Sequence, residues 1–558
     1  MSLCRRVVLL SLFQLIWGAS HAVAADDLRF GDIQLCVVDI YGQEELSHTH
    51  GLIGFAHRTL NLLHPATRER IINNELLFAA GDPFNEERLA ETERNLRGLG
   101  FLTNVTITPL DTLSDGSVPV EVKVQETWTL TTQFSYSKSS SSDRWTALMS
   151  DTNFLGYGVQ LEAAIGHEED RDWRSMYFQN RRVLGTQWLV RARTTDLSDG
   201  YNRELGLERP FYAMDDTWGV SATAWDLSYK PRYYLSRTSV DPNDFSGDRL
   251  YMNPQQRREG VSLQTRLRIS KRGEGRIWRI GAGLSSEFVA FDIPDEVVLS
   301  DERVISETEA RVAAGEGLVR ETGRTAQPFL LIETQGREWG RDRFVLRYGG
   351  DEDIPLDPRG SLKFGPALSG LGSDQGRWVY EAEVFDWSRM GPGWLLFWGL
   401  TKGSLASSEK AWSQTDIMMG WFGHLLGGMN RVVVEGIRTE DPVGTMVPTL
   451  GLTRGLRTLE NDGLVGDRLV RWNIEHAILF PHEVFGFTRF GLAAFYAGGS
   501  AWWDQEKGGV DDARHEAGIG LRFGPSRSAR TEIGRLDLAW PLDGSSGPQL
   551  TAKTGGFF

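Results

Sequence analysis

The residues between Gly451 and Trp503 favour ionic recognition over covalent chemistry. Arg454 stands next to Gly455 in a glycine-rich stretch, and its planar guanidinium has five donors in a geometry that suits two-point capture of a carboxylate. The glycine permits a tight backbone path. Glu475 follows in a segment that alternates with period two, on the same face as Arg471. A loop that folds back towards that face can therefore pair Arg454 with Glu475.

Two interpretations of these residues remain open. In the first, Arg454 and Glu475 form an ion pair that fixes the loop, since loss of one partner would leave the other charge without compensation. In the second, Arg454 is a solvated loop cation and Glu475 is an ordinary acid on a wet strand face. The residue types and their spacing do not separate the two.

Other chemistries find little support in the sequence. It contains no G-x-S-x-G elbow, H-E-x-x-H helix or Walker loop. His48, His50, His57 and His64 lie near one another, but their spacing fits no standard metal site. With a formal net charge of −15 and no basic run, a nucleic-acid surface is not expected. We therefore expect no enzyme activity, no metal and no cofactor.

Residues 1–24 are predicted to be a signal peptide. Arg5 and Arg6 supply its positive charge, Val7–Gly18 its apolar stretch and Ala22–Ala24 its cleavage site. The apolar stretch is too short for a membrane-anchoring helix. We therefore expect the rest of the chain to be exported.

Residues 25–127 are predicted to form a small α+β domain with the order β-α-α-β-β. Asn85 is a suitable cap for a helix that stops at Gly100, and Asp115-Gly116 marks a hairpin turn. The last strand alternates strictly between apolar and other residues. Its apolar face consists of Val118, Val120, Val122 and Val124.

Residues 128–558 have a different sequence pattern. They form a succession of segments of about ten residues in which apolar and polar residues alternate. One segment has Val261, Leu263 and Leu267 on one face, with Gln264 and Arg266 on the other. Lipid offers backbone groups no partner, so a sheet that spans it must close on itself. At roughly 27 residues per strand with its connection, we expect an antiparallel transmembrane β-barrel of about 16 strands. A large soluble β-sandwich or propeller is the alternative, but the 19 Trp and 13 Tyr residues favour the interfacial girdle of a membrane protein.

The stretch around Arg454 resembles the barrel signature of the BamA/TamA-type outer-membrane protein assembly factors, the bacterial surface antigen family. The shared residues are Arg454-Gly455, Gly466-Asp467, Glu475, Phe495–Gly499 and Trp502-Trp503. Two positions depart from the family. Leu456 replaces the aromatic residue that follows the Arg-Gly pair, and Ala497 replaces a strand aspartate that would face Arg454. Asp467 is then a candidate substitute for that second acid.

The N-terminal unit resembles the same family's polypeptide-transport-associated (POTRA) domain. The supporting residues are Gly81–Phe84, Leu96, Leu99–Phe101, Val105 and Val122–Glu126. The resemblance implies one periplasmic POTRA-like domain in front of a barrel in the bacterial outer membrane. It also implies three functional features: an Arg454 lock with Glu475 or Asp467, a client-binding strand edge at Val118–Val124, and a weak seam between the first and last strands near Gly555, Gly556 and Phe558.

The function implied by the resemblance is insertion, assembly or translocation of unfolded polypeptide clients at the outer membrane. Lipid is the surrounding medium, and periplasmic chaperones or lipoproteins are candidate accessory partners. Two alternatives stay open. One is a conduit or surface anchor that serves a single exported partner, which a single POTRA-like domain favours. The other is a barrel hydrolase with a site at the loop rim.

Overall fold

The computed structural model describes residues 28–554, apart from 139–142, 169–170, 236–249, 348–350, 406–410, 443–445, 453, 506–507, 530–532 and 545–546. The predicted signal peptide and the seam residues Gly555, Gly556 and Phe558 lie outside the described residues. Within the described ranges, no helix has both the length and the apolar character needed to cross a bilayer.

The N-terminal domain is a three-stranded sheet with helices on one face. Its elements are β1 (Arg29–Val38), α1 (Gln43–His48), α2 (Gly51–Leu63), α3 (Glu69–Asn73), α4 (Glu86–Arg97), β2 (Leu102–Pro109) and β3 (Ser117–Glu126). The predicted cap is confirmed, because the Asn85 side chain accepts a hydrogen bond from the Arg88 N–H. The core packs Phe30, Ile72 and Leu96 against the inner face of β3. Four helices lie between β1 and β2. The two of the predicted β-α-α-β-β order correspond to α3 and α4, and α2 lies where the spacing of Ile53, Ala56, Leu60 and Leu63 also predicts an amphipathic helix.

The client-binding edge predicted at Val118, Val120, Val122 and Val124 is wrong. The sheet order is β1-β3-β2, so β3 is the central strand. It pairs in parallel with β1 and antiparallel with β2, and its four valines are buried in the domain core. Strict alternation identifies one buried face of a strand, but it carries no information about the strand's neighbours. The edges of this sheet are β1 and β2.

Strands and short helices account for most of the remaining chain. In order they are β4 (Leu130–Lys138), β5 (Asp143–Asp151), β6 (Val159–Glu168), β7 (Arg171–Asn180), β8 (Leu189–Leu197), β9 (Gly200–Arg209), β10 (Trp218–Tyr229), β11 (Tyr233–Leu235), β12 (Leu250–Met252), β13 (Gln255–Arg268), β14 (Arg276–Asp292), β15 (Glu296–Val298), β16 (Val304–Ser306), α5 (Glu307–Glu321), β17 (Gly323–Gly336), β18 (Trp339–Asp342), β19 (Glu352–Pro355), β20 (Arg359–Ala367), β21 (Arg377–Met390), β22 (Gly393–Leu405), β23 (Trp412–Leu425), β24 (Gly428–Glu440), β25 (Thr449–Leu450), β26 (Leu464–Val465), β27 (Arg468–Leu479), β28 (Thr488–Trp502), β29 (Arg514–Pro525), β30 (Gly534–Pro541) and β31 (Gln549–Thr554). Single turns of 3₁₀ helix lie at Phe154–Gly156, Val183–Gly185, Ser369–Leu371 and Val510–Asp512.

Twenty of these strands form a closed antiparallel barrel, in which β31 returns to pair with β4. The predicted fold class is therefore confirmed, and the predicted count of about 16 strands is wrong. The estimate assumed long connections, whereas several hairpins turn within very few residues. Only Ser198 and Asp199 separate β8 from β9, and only Gly391 and Pro392 separate β21 from β22. The remaining short strands form hairpins within the longer connections.

The period-two pattern separates two faces of the barrel wall. Val261, Leu263 and Leu267 of β13 are exposed on the outside. Arg266, between them, points inward and forms ion pairs with Glu208 and Glu333 of other strands. The outside is therefore apolar and the lumen is lined with charge, as expected where lipid surrounds a wet interior.

The two ends of the barrel carry different structures. At the near end, the connections contact the N-terminal domain, for example where Asn153 donates to Thr67 and Arg182 pairs with Glu75. At the far end, β11, β12, β15, β16 and α5 form a small cap around its own apolar core. That core includes Tyr233, Leu250, Phe291, Val297 and Ala310.

An added charge should reduce the free energy of unfolding by an amount that depends on which face of the barrel wall it occupies. We expect Leu263→Arg to lower the free energy of unfolding in a bilayer by about 2–4 kcal/mol, because the outward face of β13 has no water to solvate the guanidinium. The neighbouring Gln264→Arg faces the lumen and should cost about 1 kcal/mol or less. The free energy of unfolding of both variants is measured by titration with guanidinium chloride in lipid vesicles. Equal losses at the two positions would contradict the assignment of the faces.

Candidate functional site

A folded-back loop occupies the lumen near the last strands. It consists of the described residues of segment 441–467 between β24 and β27, that is, the segment without 443–445 and 453, and its short strands β25 and β26 pair with each other. Leu456 of this segment is buried in a cluster with Leu469 and Ala497 of the barrel wall. The loop predicted from the glycine-rich stretch is thus present, and it lies inside the barrel.

Arg457 is the residue that holds this loop to the wall. Its Nε donates to Asp537 Oδ2 at 2.8 Å, and its Nη1 donates to Glu516 Oε1 at 3.0 Å. The guanidinium also stacks over the Phe495 ring, with its Cζ 3.9 Å from the ring centroid. The next residue also attaches the loop to the wall, because the Thr458 N–H donates to Glu516 Oε2 at 2.9 Å. A buried arginine shared by two buried carboxylates fixes the loop position, since each charge needs its partners.

The Arg457 site is one end of a chain of alternating charges across the inner wall. From Asp537 the chain continues to Arg522, whose Nη1 lies 2.5 Å from Asp537 Oδ1. Arg522 Nη2 in turn lies 2.5 Å from Glu475 Oε2, and Glu475 Oε1 accepts from Arg431 at 2.9 Å. These side chains come from β24, β27, β29 and β30, so the network connects four of the last five barrel strands before β31.

The predicted pairing of Arg454 with Glu475 is wrong. Glu475 is buried and lies between Arg431 and Arg522. The Arg454 side chain donates to Thr449 Oγ1 at 3.3 Å, within its own loop, and its carbonyl accepts from Arg471 Nη1 at 2.6 Å. The Arg-Gly dipeptide drew attention to Arg454, but the wall acids lie opposite the arginine three residues further along.

The other predicted lock residues have different roles. Gly455 has φ 136°, and a Cβ there would lie 2.5 Å from Leu450 Cδ1, so a glycine is required. Asp467 lies at the far-end base of the loop, where its Oδ1 accepts from the Asp504 N–H at 2.9 Å. It is 3.6 Å from Arg468 and does not serve as a second acid for Arg454.

The two departures from the family pattern compensate for each other. Leu456, in the place of an aromatic residue, and Ala497, in the place of an aspartate, belong to one buried apolar cluster together with Leu450. Ala497 does face the lumen, as predicted from alternation. No aspartate is needed at position 497, because the acids that bind the loop arginine come from other strands. They are Glu516 and Asp537, and the arginine that they bind is Arg457. The sequence signal for this site was two acids at inward positions of β29 and β30.

A second hairpin enters the lumen from the near end. It consists of the described residues of segment 337–358 between β17 and β20, that is, the segment without 348–350, and it contains the paired strands β18 and β19. Val345 is buried among inward-facing side chains that include Trp394, Phe422 and Val433. Arg431 links this hairpin to the charge network, because its guanidinium donates to the Val345 carbonyl at 3.3 Å while it also pairs with Glu475.

The N-terminal domain is fixed against the near end by ion pairs. Three arginine–carboxylate pairs each make two hydrogen bonds: Arg97 with Asp353, Arg182 with Glu75 and Arg527 with Glu45. In all three, the nitrogen–oxygen distances are 2.8–2.9 Å. Such bidentate geometry gives orientation as well as attraction. The pair on Asp353 joins α4 directly to the hairpin that enters the lumen.

A cleft remains between the N-terminal domain and the near-end connections. Its volume is about 490 Å³. Its lining includes Thr103 and Asn104 of β2, Phe344 of the lumen hairpin, Arg489 of β28 and Arg527 of the connection after β29. The register of β2 against β3 shifts between Thr103 and Thr106, where the strand is irregular. We refer to this space as the rim cleft.

Within the described residues, which end at Thr554, the pairing between the first and last barrel strands is short. In the described residues, β31 pairs with β4 only through Thr551 opposite Ser137 and Ala552 opposite Tyr136. The flanking pairs are longer: β4 pairs with β5 along its whole length, and β30 pairs with β31 from Gly534 to Ala539. Nothing in the described chain brings together three or more His, Cys, Asp or Glu residues in a way that could hold a metal ion.

Comparisons with known proteins identify the N-terminal domain. Residues 64–127 match the POTRA family model, described as a surface antigen variable number repeat. This match confirms the predicted POTRA resemblance of the N-terminal domain, and the structure shows that a closed barrel follows that domain. No curated protein matches the sequence.

Several solved structures match this chain over most of its length, with low TM-scores and low sequence identity. BamA from Haemophilus ducreyi lacking POTRA domains 1–3 is 12% identical, with 94% of this chain and 84% of that chain covered and a TM-score of 0.34. CdiB from Acinetobacter baumannii is 11% identical, with 94% and 73% covered and a TM-score of 0.41. CdiB from Escherichia coli is 11% identical, with 94% and 75% covered and a TM-score of 0.43. Scores this low do not bear on function.

The charge network predicts unequal effects for the two loop arginines. We expect Arg457→Ala to cost about 3–5 kcal/mol of unfolding free energy, because Glu516 loses its only charged partner in this network inside the barrel. The same variant should open the segment 441–467 to added protease. The matched control Arg454→Ala removes one long hydrogen bond and should cost about 1 kcal/mol or less. Equal protease sensitivity of the two variants would contradict the assignment of Arg457 as the lock.

Proposed function

From the premise that a POTRA domain precedes a closed β-barrel, we propose that this chain inserts or translocates other polypeptides at a bacterial outer membrane. The barrel spans the membrane, and the POTRA domain lies in the periplasm at the near end. No enzyme activity, metal or cofactor is part of this proposal. The free energy comes from strand pairing and from burial of the client's apolar face.

The observation that supports the proposal is the short pairing of β31 with β4 in the part of the chain that the structure describes. A strand pair that shares few backbone hydrogen bonds separates at a lower cost than its long neighbours. Separation would offer the edges of β4 and β31 to an incoming strand, which could pair with them by β-augmentation. In lipid, an unpaired strand edge is costly, so an open seam favours the addition of a client strand.

The rim cleft is the place where we propose that a client first docks. It lies beside β2, which is an edge of the POTRA sheet, and beside Ser526 and Arg527 in the connection that follows β29. That connection holds the start of the barrel, because the Trp128 N–H donates to the Arg527 carbonyl at 2.7 Å. A client in the cleft would therefore be close to the first strand. This position replaces the β3 edge predicted from the sequence.

The charge network has a supporting role in this proposal. It fixes β24, β27, β29 and β30 to one another and to the loop that carries Arg457. The wall next to the seam is thereby kept in one arrangement while the seam itself is weakly paired. A seam can open repeatedly only if the strands beside it keep their register.

A dedicated exporter for one partner is the second candidate. A single POTRA domain favours it, because one domain offers less surface to varied clients than a row of domains. Both candidates use the same near-end docking surface and differ in the breadth of their clients.

Depletion of the protein separates the two candidates. If the chain is a general assembly factor, depletion should lower the amounts of many outer-membrane barrels severalfold, as measured by quantitative proteomics of the outer-membrane fraction. Loss of a single exported protein would instead support the dedicated exporter. Unchanged amounts of all outer-membrane and exported proteins would refute both.

Covalent closure of the seam tests the mechanism. In a Cys36→Ser background, Tyr136→Cys together with Ala552→Cys should form a disulfide across β4 and β31 and abolish complementation of the depleted strain. Reductant should restore it. The matched control, Ala147→Cys with Ile165→Cys, bridges β5 and β6 at an equivalent register pair and should complement with or without the disulfide. Normal function of the seam-closed barrel would contradict the opening of the seam.

A further inference from the structure

An apolar helix face is exposed at the near end of the barrel, outside the features described above. The face belongs to α2, and the exposed fractions of Leu52, Phe55 and Leu62 are 87%, 68% and 85%. Leu63 is also exposed, and the four residues recur at the spacing of one helix face. A soluble domain rarely leaves so many large apolar side chains of one helix in water.

The opposite face of α2 fixes the helix to the barrel. His57 is buried, stacks on Tyr41 with ring centroids 3.8 Å apart, and places its Nε2 3.0 Å from the Phe485 carbonyl oxygen. The Tyr41 hydroxyl donates to the Gly486 carbonyl at 3.2 Å. Burial raises the pKa of Tyr41 to about 12, so the hydroxyl keeps this proton at neutral pH. Phe485 and Gly486 belong to the turn between β27 and β28.

The same turn lies at the near end of the barrel, where the outward apolar face stops. Ile474, Ile478 and Phe480 are exposed along β27 and just beyond its end, and Phe485 follows at the turn with most of its side chain exposed. The exposed face of α2 therefore continues the outward apolar surface past the last strand residues. This position corresponds to the boundary between the hydrocarbon and the headgroups of the periplasmic leaflet.

The composition of α2 suits that boundary. The helix has no acidic residue, and its one arginine, Arg58, turns back to donate to the Leu46 carbonyl at 3.1 Å. Arg58 is exposed but is directed towards α1 by this hydrogen bond, and Leu52, Phe55, Leu62 and Leu63 form an apolar face beside it. An amphipathic helix of this kind lies in the membrane plane, with its apolar face about 5–10 Å into the boundary between headgroups and acyl chains.

We infer that α2 is an interfacial helix that inserts its Leu52, Phe55, Leu62 and Leu63 face into the periplasmic leaflet of the membrane around the barrel. This inference rests on the proposed placement of the barrel in the outer membrane. It adds a lipid contact made by the N-terminal domain itself. The helix would hold that domain against the leaflet close to Trp128, where the first barrel strand begins, and so beside the seam.

Site-specific fluorescence in lipid vesicles tests the inference. In a Cys36→Ser background, the full mature protein with Leu62→Cys is labelled with the environment-sensitive dye NBD and reconstituted into vesicles of phosphatidylethanolamine and phosphatidylglycerol. We expect phospholipids with a spin label near the headgroup end of the acyl chain to remove about half of the NBD emission. A spin label at the end of the chain should quench less. Phe55→Cys provides a second site on the same face.

Two control positions make the outcomes distinguishable. Leu263→Cys on the outward face of β13 should be quenched, and most strongly by the spin label at the chain end. Leu113→Cys, in the β2–β3 connection, should not be quenched by either lipid. Quenching at Leu263 without quenching at Leu62 and Phe55 would overturn the interfacial helix and leave the barrel placement intact. Blue-shifted emission from α2 without quenching would also overturn the interfacial helix. The dye would then be in an apolar environment formed by protein and not by lipid. Absence of quenching at Leu263 as well would overturn the membrane barrel and the inference together.

Discussion

The arrangement of the lumen depends on the neutralisation of buried charge. Arg457 and Arg522 are buried inside the wall, where an unpaired cation would be very costly. Each is held between two carboxylates, and Asp537 is shared by both. The loop that brings Arg457 and the strands that bring the acids therefore have one compatible relative position. The register of β29 against β30, the path of segment 441–467 and the packing of Leu456 all follow from this requirement.

The sequence predicted the features that depend on local pattern. Alternation identified the outward face of β13, and the Asn85 cap and the Asp115-Gly116 turn follow from side-chain and backbone preferences of a few residues. The features it missed depend on contacts between distant parts of the chain. The central position of β3 is a matter of sheet order, and the strand count depends on connection lengths that alternation does not show. The choice between Arg454 and Arg457 depended on which arginine the fold places opposite Glu516 and Asp537, and neither acid lies near the loop in sequence.

The N-terminal domain is part of the barrel's near end and is not only tethered to it. Three bidentate ion pairs and the contacts of α2 with the β27–β28 turn distribute its attachment around the rim. One of these pairs, Arg97 with Asp353, reaches the hairpin whose Val345 is packed inside the lumen. The same hairpin meets Arg431 of the charge network. A shift of α4 is thus opposed by contacts that extend from the POTRA domain to the loop carrying Arg457.

The meeting of the two inserted segments bears on the direction in which a polypeptide can travel. Segment 337–358 enters from one end and segment 441–467 from the other, and Arg431 and Glu475 lie in the line of contacts that connects them. A chain threaded along the cylinder axis would have to pull these segments apart and leave several ionised groups without counter-charges. A chain that leaves sideways between β4 and β31 disturbs none of them. Passage of a polypeptide along the barrel axis therefore costs more free energy than lateral exit between β4 and β31, and this holds for any client.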